Sequence, residues 1–192
     1  MRLLQAQIQP HFLFNTLANV QALVDTGSPK ASQVLATLIS YLRAAVPRLE
    51  EAFSTLENEV ALARSYLELM HLRMPDRLQY SIDVDDDALG VRCLPLTLLT
   101  LVENAVRHGI DPSEEGGRID IRIKLRDGRC HVRVSDTGVG LTQSGGNAGT
   151  GLFNLCERLR LSFGSSTRFE LNDVAPHGVA VALQFPAQKS AG

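Results

Sequence analysis

The segment Ile119-Asp-Ile-Arg-Ile-Lys-Leu-Arg126 alternates apolar and polar residues without a break, turns at Asp127-Gly128, and returns through Cys130, Val132 and Val134. A period of two places every apolar side chain on one face, and Asp-Gly is a favoured two-residue link between antiparallel strands. A hairpin with one apolar face needs a cover. Residues 94–109 form a strongly apolar helical pattern and residues 151–163 a second, while 79–83, 168–172 and 179–185 read as further strands. The expected architecture of this half is an antiparallel or mixed sheet covered on one face by helices, within an α+β chain.

Residues 1–74 read as helix throughout. Ser28 and Pro29 stand where a helix begins, followed by Val34, Leu35, Leu38, Ile39 and Leu42 at 3/4 spacing. A third helix is expected to open with the capping box Ser54-x-x-Glu57, to carry Leu62, Tyr66, Leu69 and Met70, and to stop at Pro75. In the first helix Leu13, Leu17, Val20 and Val24 cluster on one face, with His11 and Asn15 nearly opposite. The shift near Pro75 divides the chain into a helical region over 1–74, a sheet-containing domain over 75–187 and a loose tail over 188–192.

The 192 residues are 44% hydrophobic and 21% charged, enough for a core and too few charges for a disordered tail. A formal net charge of -2 argues against nucleic acid as a partner, because phosphate-backbone affinity needs a basic surface. The longest run of hydrophobic residues is five, Val179 to Leu183, against about twenty for a spanning helix. Three scattered cysteines, Cys93, Cys130 and Cys156, and no signal segment fit a reducing, cytoplasmic setting. Met1 leads straight into an amphipathic pattern, so the chain is expected to be cut from a longer protein, with any membrane contact made through an upstream region.

Projected at 100° per residue, the helix over 94–109 gathers Leu98, Leu99, Val102, Ala105 and Val106 on one side and Glu103, Asn104, Arg107 and His108 on the other. A carboxylate, a carboxamide and a cation side by side suit phosphoryl transfer, though a solvated face explains them equally well. Asp136 shares the parity of Cys130, Val132 and Val134, so its carboxylate is aimed toward the apolar side and needs a partner there. It opens Asp136-Thr-Gly-Val-Gly140, and a second glycine-rich stretch, Gly145-Gly-Asn-Ala-Gly-Thr-Gly151, runs into a helix whose free N–H groups can bind phosphate.

The order Glu103-Asn104-x-x-Arg107-His108, Asp136-x-Gly-x-Gly140, Gly149-x-Gly151 resembles the ATP-binding domain shared by histidine kinases, gyrase, Hsp90 and MutL. That resemblance implies an α/β sandwich in which Asn104 holds Mg²⁺, Asp136 accepts from the adenine amino group, and Gly138 and Gly140 shape the base pocket. It makes Glu103 a proton acceptor and Arg107 a phosphate contact, and puts His108 and Leu152 in the nucleotide site. Gly149, Thr150 and Gly151 would contact phosphates beneath a lid over residues 141–148.

Gln7-Ile-Gln-Pro-His-Phe-Leu-Phe-Asn15 resembles the phosphoacceptor segment of LytS-like sensor histidine kinases, and Leu67-Glu-Leu-Met-His-Leu-Arg73, Leu101-Val-Glu-Asn-Ala-Val-Arg-His-Gly109 and Gly151-Leu-Phe-Asn-Leu-Cys-Glu-Arg-Leu159 resemble later blocks of that family. The implied function is autophosphorylation of His11 from Mg²⁺-ATP and transfer to an aspartate of a response-regulator receiver domain. The implied assembly is a homodimer whose helical hairpins form a four-helix bundle. Thr100 departs from the proline expected at its place, and Val179 from the commoner threonine. Two other readings stay open from the residues: an ATPase or protein serine kinase of the same superfamily, for which His11 would be dispensable, and a catalytically silent dimer, which would not bind nucleotide.

Overall fold

A computed structural model describes residues 10–48, 51–141 and 150–188; for Pro10, His11 and Thr150 the backbone alone is described. The expected tail over 188–192 lies almost wholly outside the described residues.

Helix α1 (Pro10–Asp25) and helix α2 (Lys30–Arg48) form the hairpin. Gly27 makes the turn at φ 65, and the Ser28 hydroxyl accepts from Lys30 N–H at 3.4 Å. The buried residues of α1 are Phe12, Thr16 and Val20, of which Val20 alone belongs to the expected row. Leu17 and Val24 are exposed, and Leu13 only packs at the edge of the core. The apolar arc of α1 is wider than its neighbours in one chain can cover, so one side is buried and the other left open.

A short strand β1 (Ser54–Thr55) leads into α3 (Leu56–Arg73). The cap is one residue later than expected: Thr55, in extended conformation, accepts from Asn58 N–H, while the Ser54 side chain bonds the Glu59 carboxyl; both residues of β1 pair with β3 (Arg92–Cys93). Beyond α3, strand β2 (Leu78–Val84) is followed by β3 and then by α4 (Thr97–Asn104). The helix expected over 94–109 is interrupted at both ends. Pro95 disfavours helical backbone before it, Leu96 is left-handed at φ 63, and residues Ala105–Ile110 form a π turn in which Asp111 N–H reaches Val106 C=O at 2.8 Å.

The sheet continues through β4 (Gly117–Arg126), β5 (Arg129–Asp136), β6 (Arg168–Asp173) and β7 (Val179–Pro186), with α5 (Thr150–Phe163) before β6. Asp127 and Gly128, at φ 49 and 69, form the β4–β5 turn with both central residues left-handed, as Asp-Gly favours. Strand order is β2-β4-β5-β7-β6; the β2–β4 pair is parallel and the others antiparallel. Ile119, Ile121 and Ile123 face Asp136, Val134 and Val132 across the hairpin. Val134 and Val132 in turn face Val181 and Leu183 of β7. This inner face packs under the helices in one apolar cluster that also takes in α3 and the inner side of the hairpin. No helix among the described residues is long and apolar enough to cross a membrane.

Candidate functional site

Asp136 ends β5 and is 4% exposed. Strand parity sends its carboxylate to the core face, where a charge needs partners. Oδ1 accepts from Gly138 N–H at 2.9 Å, and Val179 N–H also bonds the carboxyl. Burial pushes its pKa up, and these two N–H groups oppose the rise. Asp136 opens onto a narrow cleft between α4, the π turn and β7. Asn104 and His108 bring the other polar groups to this cleft, and Leu152, Leu171 and Val179 line it with aliphatic carbon. A buried acceptor among aliphatic walls is the kind of polar group that orients a ligand in a mainly apolar site.

Two glycines make the approach possible. A Cβ on Gly109 would stand 2.5 Å from Asp136 Oδ1, and one on Gly138 would stand 2.2 Å from the Gly109 carbonyl carbon. The bare backbone at Gly138 therefore brings the loop against the π turn, where Val139 N–H bonds Gly109 C=O at 3.2 Å. Gly138 and Gly140 do not themselves line the cleft among the described residues; Gly140 is needed for its φ of 78. The loop is further held by His177, whose Nδ1 lies 2.8 Å from Gly138 C=O. Gly109, His177 and Gly178, which leaves no room for a Cβ against Asp136 C=O, were not singled out from the sequence. Gly109 was within reach there, since it closes the Asn104-x-x-Arg107-His108 block. His177 and Gly178 carry no local signal, being about forty residues from what they touch.

Glu103 does not line the cleft. It is half-buried, and burial lifts its carboxyl to about 7 against the opposing pull of the Arg107 guanidinium. Burial, then the nearby Glu103 charge, raises the phenols of Tyr41 on α2 and Tyr66 on α3. Phe12 of α1 closes the same cluster, its ring 5.5 Å from Tyr41 and 5.4 Å from Tyr66. His11 is one residue before Phe12 in α1.

Arg107 is exposed and His108 half-buried, its pKa lowered by burial and by Arg107, which keeps the imidazole neutral at pH 7. Thr150 and Gly151 form the first turn of α5, with Gly151 backed onto Thr100 of α4. Gly149 and residues 142–148 of the lid expected over 141–148 lie outside the described residues, while Leu141 lines the cleft. Among the described residues no group of three or more His, Cys, Asp or Glu could hold a metal ion by itself.

Residues 1–78 match the model of the histidine kinase family, and residues 93–189 that of the histidine kinase-, DNA gyrase B-, and HSP90-like ATPase family. The chain is 28% identical to the sensor histidine kinase YesM of Bacillus subtilis, over 98% of this chain and 33% of that protein. It is 33% identical to the sensor protein LytS of Oceanobacillus iheyensis, over 90% of this chain and 32% of that protein. It thus spans about a third of the length of these relatives. In fold it is similar to the catalytic domain of histidine kinase ThkA, with a TM-score of 0.56 at 16% identity over 72% of this chain and 97% of that one. With matches covering both the helical region and the sheet domain, the chain belongs to the histidine kinase-, DNA gyrase B-, and HSP90-like ATPase family and carries a histidine kinase region ahead of the ATPase domain.

Proposed function

We propose that this chain is the cytoplasmic kinase core of a larger sensor, binding Mg²⁺-ATP in the cleft at Asp136 and moving the γ-phosphoryl group to His11. The observation that carries this reading is that consecutive residues of α4 serve two places: Asn104 lines the cleft, and Glu103 lies near the tyrosine pair against which Phe12, next to His11, is packed.

Asp136 accepts from the adenine amino group, with Leu152, Leu171 and Val179 against the ring. Gly149, Thr150 and Gly151, at and before the start of α5, donate N–H groups to phosphate, and Arg107 adds a positive charge. His108, neutral, stays an acceptor or single donor on the cleft wall. Asn104 offers one carboxamide oxygen, which suits Mg²⁺, an ion bound through few protein ligands together with substrate phosphates. When bound, the ion neutralises phosphate charge.

A His11 ring nitrogen attacks the γ-phosphorus as the bond from phosphorus to the β-bridging oxygen breaks, and ADP leaves. The proton released from the ring passes to Glu103, whose pKa near 7 suits a general base. The phosphoryl group then goes to a receiver-domain aspartate of a response regulator. Residues 1–74 act as the dimerising phosphotransfer region and 75–187 as the ATP-binding domain.

The test is incubation with Mg²⁺ and γ-labelled ATP, comparing wild type with His11→Gln and Asn104→Ala, with acid and alkali treatment of the product. Label on wild type alone, lost in acid and kept in alkali, is the expected result. Label persisting in His11→Gln would overturn the phosphoacceptor assignment.

A further inference from the structure

Helix α4 begins without a cap of its own. Its N-cap position is Leu96, left-handed and with no side chain able to accept from the first turn. The acceptor comes from another helix: Glu59 of α3 is 0% exposed, its Oε1 accepts from Leu96 N–H at 3.1 Å, and its Oε2 accepts from Leu98 N–H at 3.2 Å. Both oxygens of a buried carboxylate are committed to the start of the helix that ends in Glu103 and Asn104. These bonds satisfy N–H groups left open at a helix start, and together with the Ser54 side chain they pull the Glu59 carboxyl down against the larger effect of burial, which lifts it to about 7.

The far end of the same helical segment is also held from the α3 side. Arg73 Nη2 pairs with Asp111 Oδ1 at 2.6 Å, and Arg77 Nη2 donates to the Asp111 and Ser113 carbonyls at 3.0 and 2.6 Å. From α5, which begins where the expected lid ends, Arg158 Nη2 donates to Pro95 C=O at 3.1 Å. Residues 95–98 are therefore gripped by α3 on one side and α5 on another. Tyr66, which seats Phe12, lies on α3 as well.

We propose that Glu59 is a positioning residue of the kinase, its carboxylate on α3 setting the axial position of α4 and so the presentation of Asn104 to the cleft and of Glu103 to the phosphoacceptor. This rests on the roles of Asn104 and Glu103 proposed above. A group bound to both first-turn N–H groups controls translation of α4, and a misplacement of about 1 Å costs about 10²-fold in rate.

The test uses the full 192-residue chain with Glu59→Gln, in which an amide NH₂ replaces one of the two acceptors, and Glu59→Asp, which keeps the charge at shorter reach. In the nucleotide-free chain, amide exchange at Leu96 and Leu98 should quicken in Glu59→Gln while Ile121 and Val134 in the sheet stay protected. Affinity for ADP in EDTA, read through Asp136, should be unchanged, the gain in ATP affinity on adding Mg²⁺ should shrink, and kcat should fall about 10²-fold, partly restored in Glu59→Asp. An unchanged Mg²⁺-dependent gain and kcat in Glu59→Gln would overturn the proposal alone. Equal losses of Mg²⁺-free and Mg²⁺-dependent binding, with sheet protection lost, would overturn it in favour of a purely stabilising cap. A wild-type chain with no Mg²⁺-dependent gain would remove the Asn104 reading and the proposal with it.

Discussion

At Glu103, burial dominates over the attraction of Arg107, and the carboxyl is held near 7. A base must be unprotonated, so autophosphorylation should rise with pH through about 7. Glu103→Gln should lose that dependence and about 10²- to 10⁴-fold in rate. Quench-flow kinetics across pH 5.5–8.5 on the order of ten points would check both, and an unaltered profile in the variant would assign the titration elsewhere. The stability consequence has the opposite sign. Because the folded pKa lies above the unfolded value, the protonated carboxyl favours the fold, fully below the unfolded pKa, and this contribution is lost as pH rises through about 7. Asp136 makes a different prediction. Asp136→Asn preserves shape but can set an NH₂ against the adenine amino group, and should weaken nucleotide binding by roughly 2 kcal/mol, about 30-fold in Kd by calorimetry.

Among the elements, the π turn after α4 carries a consequence that an ordinary helix would not. It re-aims the residues beyond Asn104, so that His108 and Gly109 reach the cleft, with Gly109 against Asp136, while Ala105 and Val106 stay in the core. Gly138→Ala would drive a Cβ into backbone rather than into a yielding side chain, and the expected cost is at least about 1–3 kcal/mol, with nucleotide binding impaired. A thermal melt indistinguishable from wild type would refute that close contact. In the hairpin, Phe12 joins α1 to α2 and α3 through the rings of Tyr41 and Tyr66. Phe12→Ala should destabilise by about 3–5 kcal/mol and slow labelling of His11 while leaving ADP affinity in place; parallel loss of both would show that the whole domain had failed. At the third helix, Ser54 has the right chemistry for a cap, but its side chain bonds the Glu59 carboxyl and Thr55 caps the helix instead.

For the whole molecule, the open side of the hairpin is the main unpaired surface. Phe14, Leu17, Val24, Leu35, Ile39 and Val46 are 40–71% exposed on α1 and α2. Bundling with the hairpin of a second copy would bury them, as proposed for the homodimer. The double variant Leu17→Glu, Ile39→Glu should sediment as a monomer with its ADP affinity intact, and a wild-type chain already monomeric at high concentration would exclude the bundle.

The sequence by itself determined the β4–β5 hairpin, the parity that buries Asp136, the helical character of the first part of the chain and the block order that names the family. Each is a matter of period, turn chemistry or local motif, written in neighbouring residues. Tertiary structure alone decided which apolar stripe of α1 is buried, that the helix over 94–109 is broken at Leu96 and wound as a π turn after Asn104, and that Asn104 and Glu103 serve different sides. It also decided that His177 holds Gly138 C=O and that Glu59 caps α4. In each of these the partner is far along the chain: 39 residues separate His177 from Gly138, and Glu59 lies 37 from Leu96. A buried carboxylate or an uncapped helix start has no local signature for its partner, because the cost of leaving it unsatisfied arises only once the fold has removed water from it.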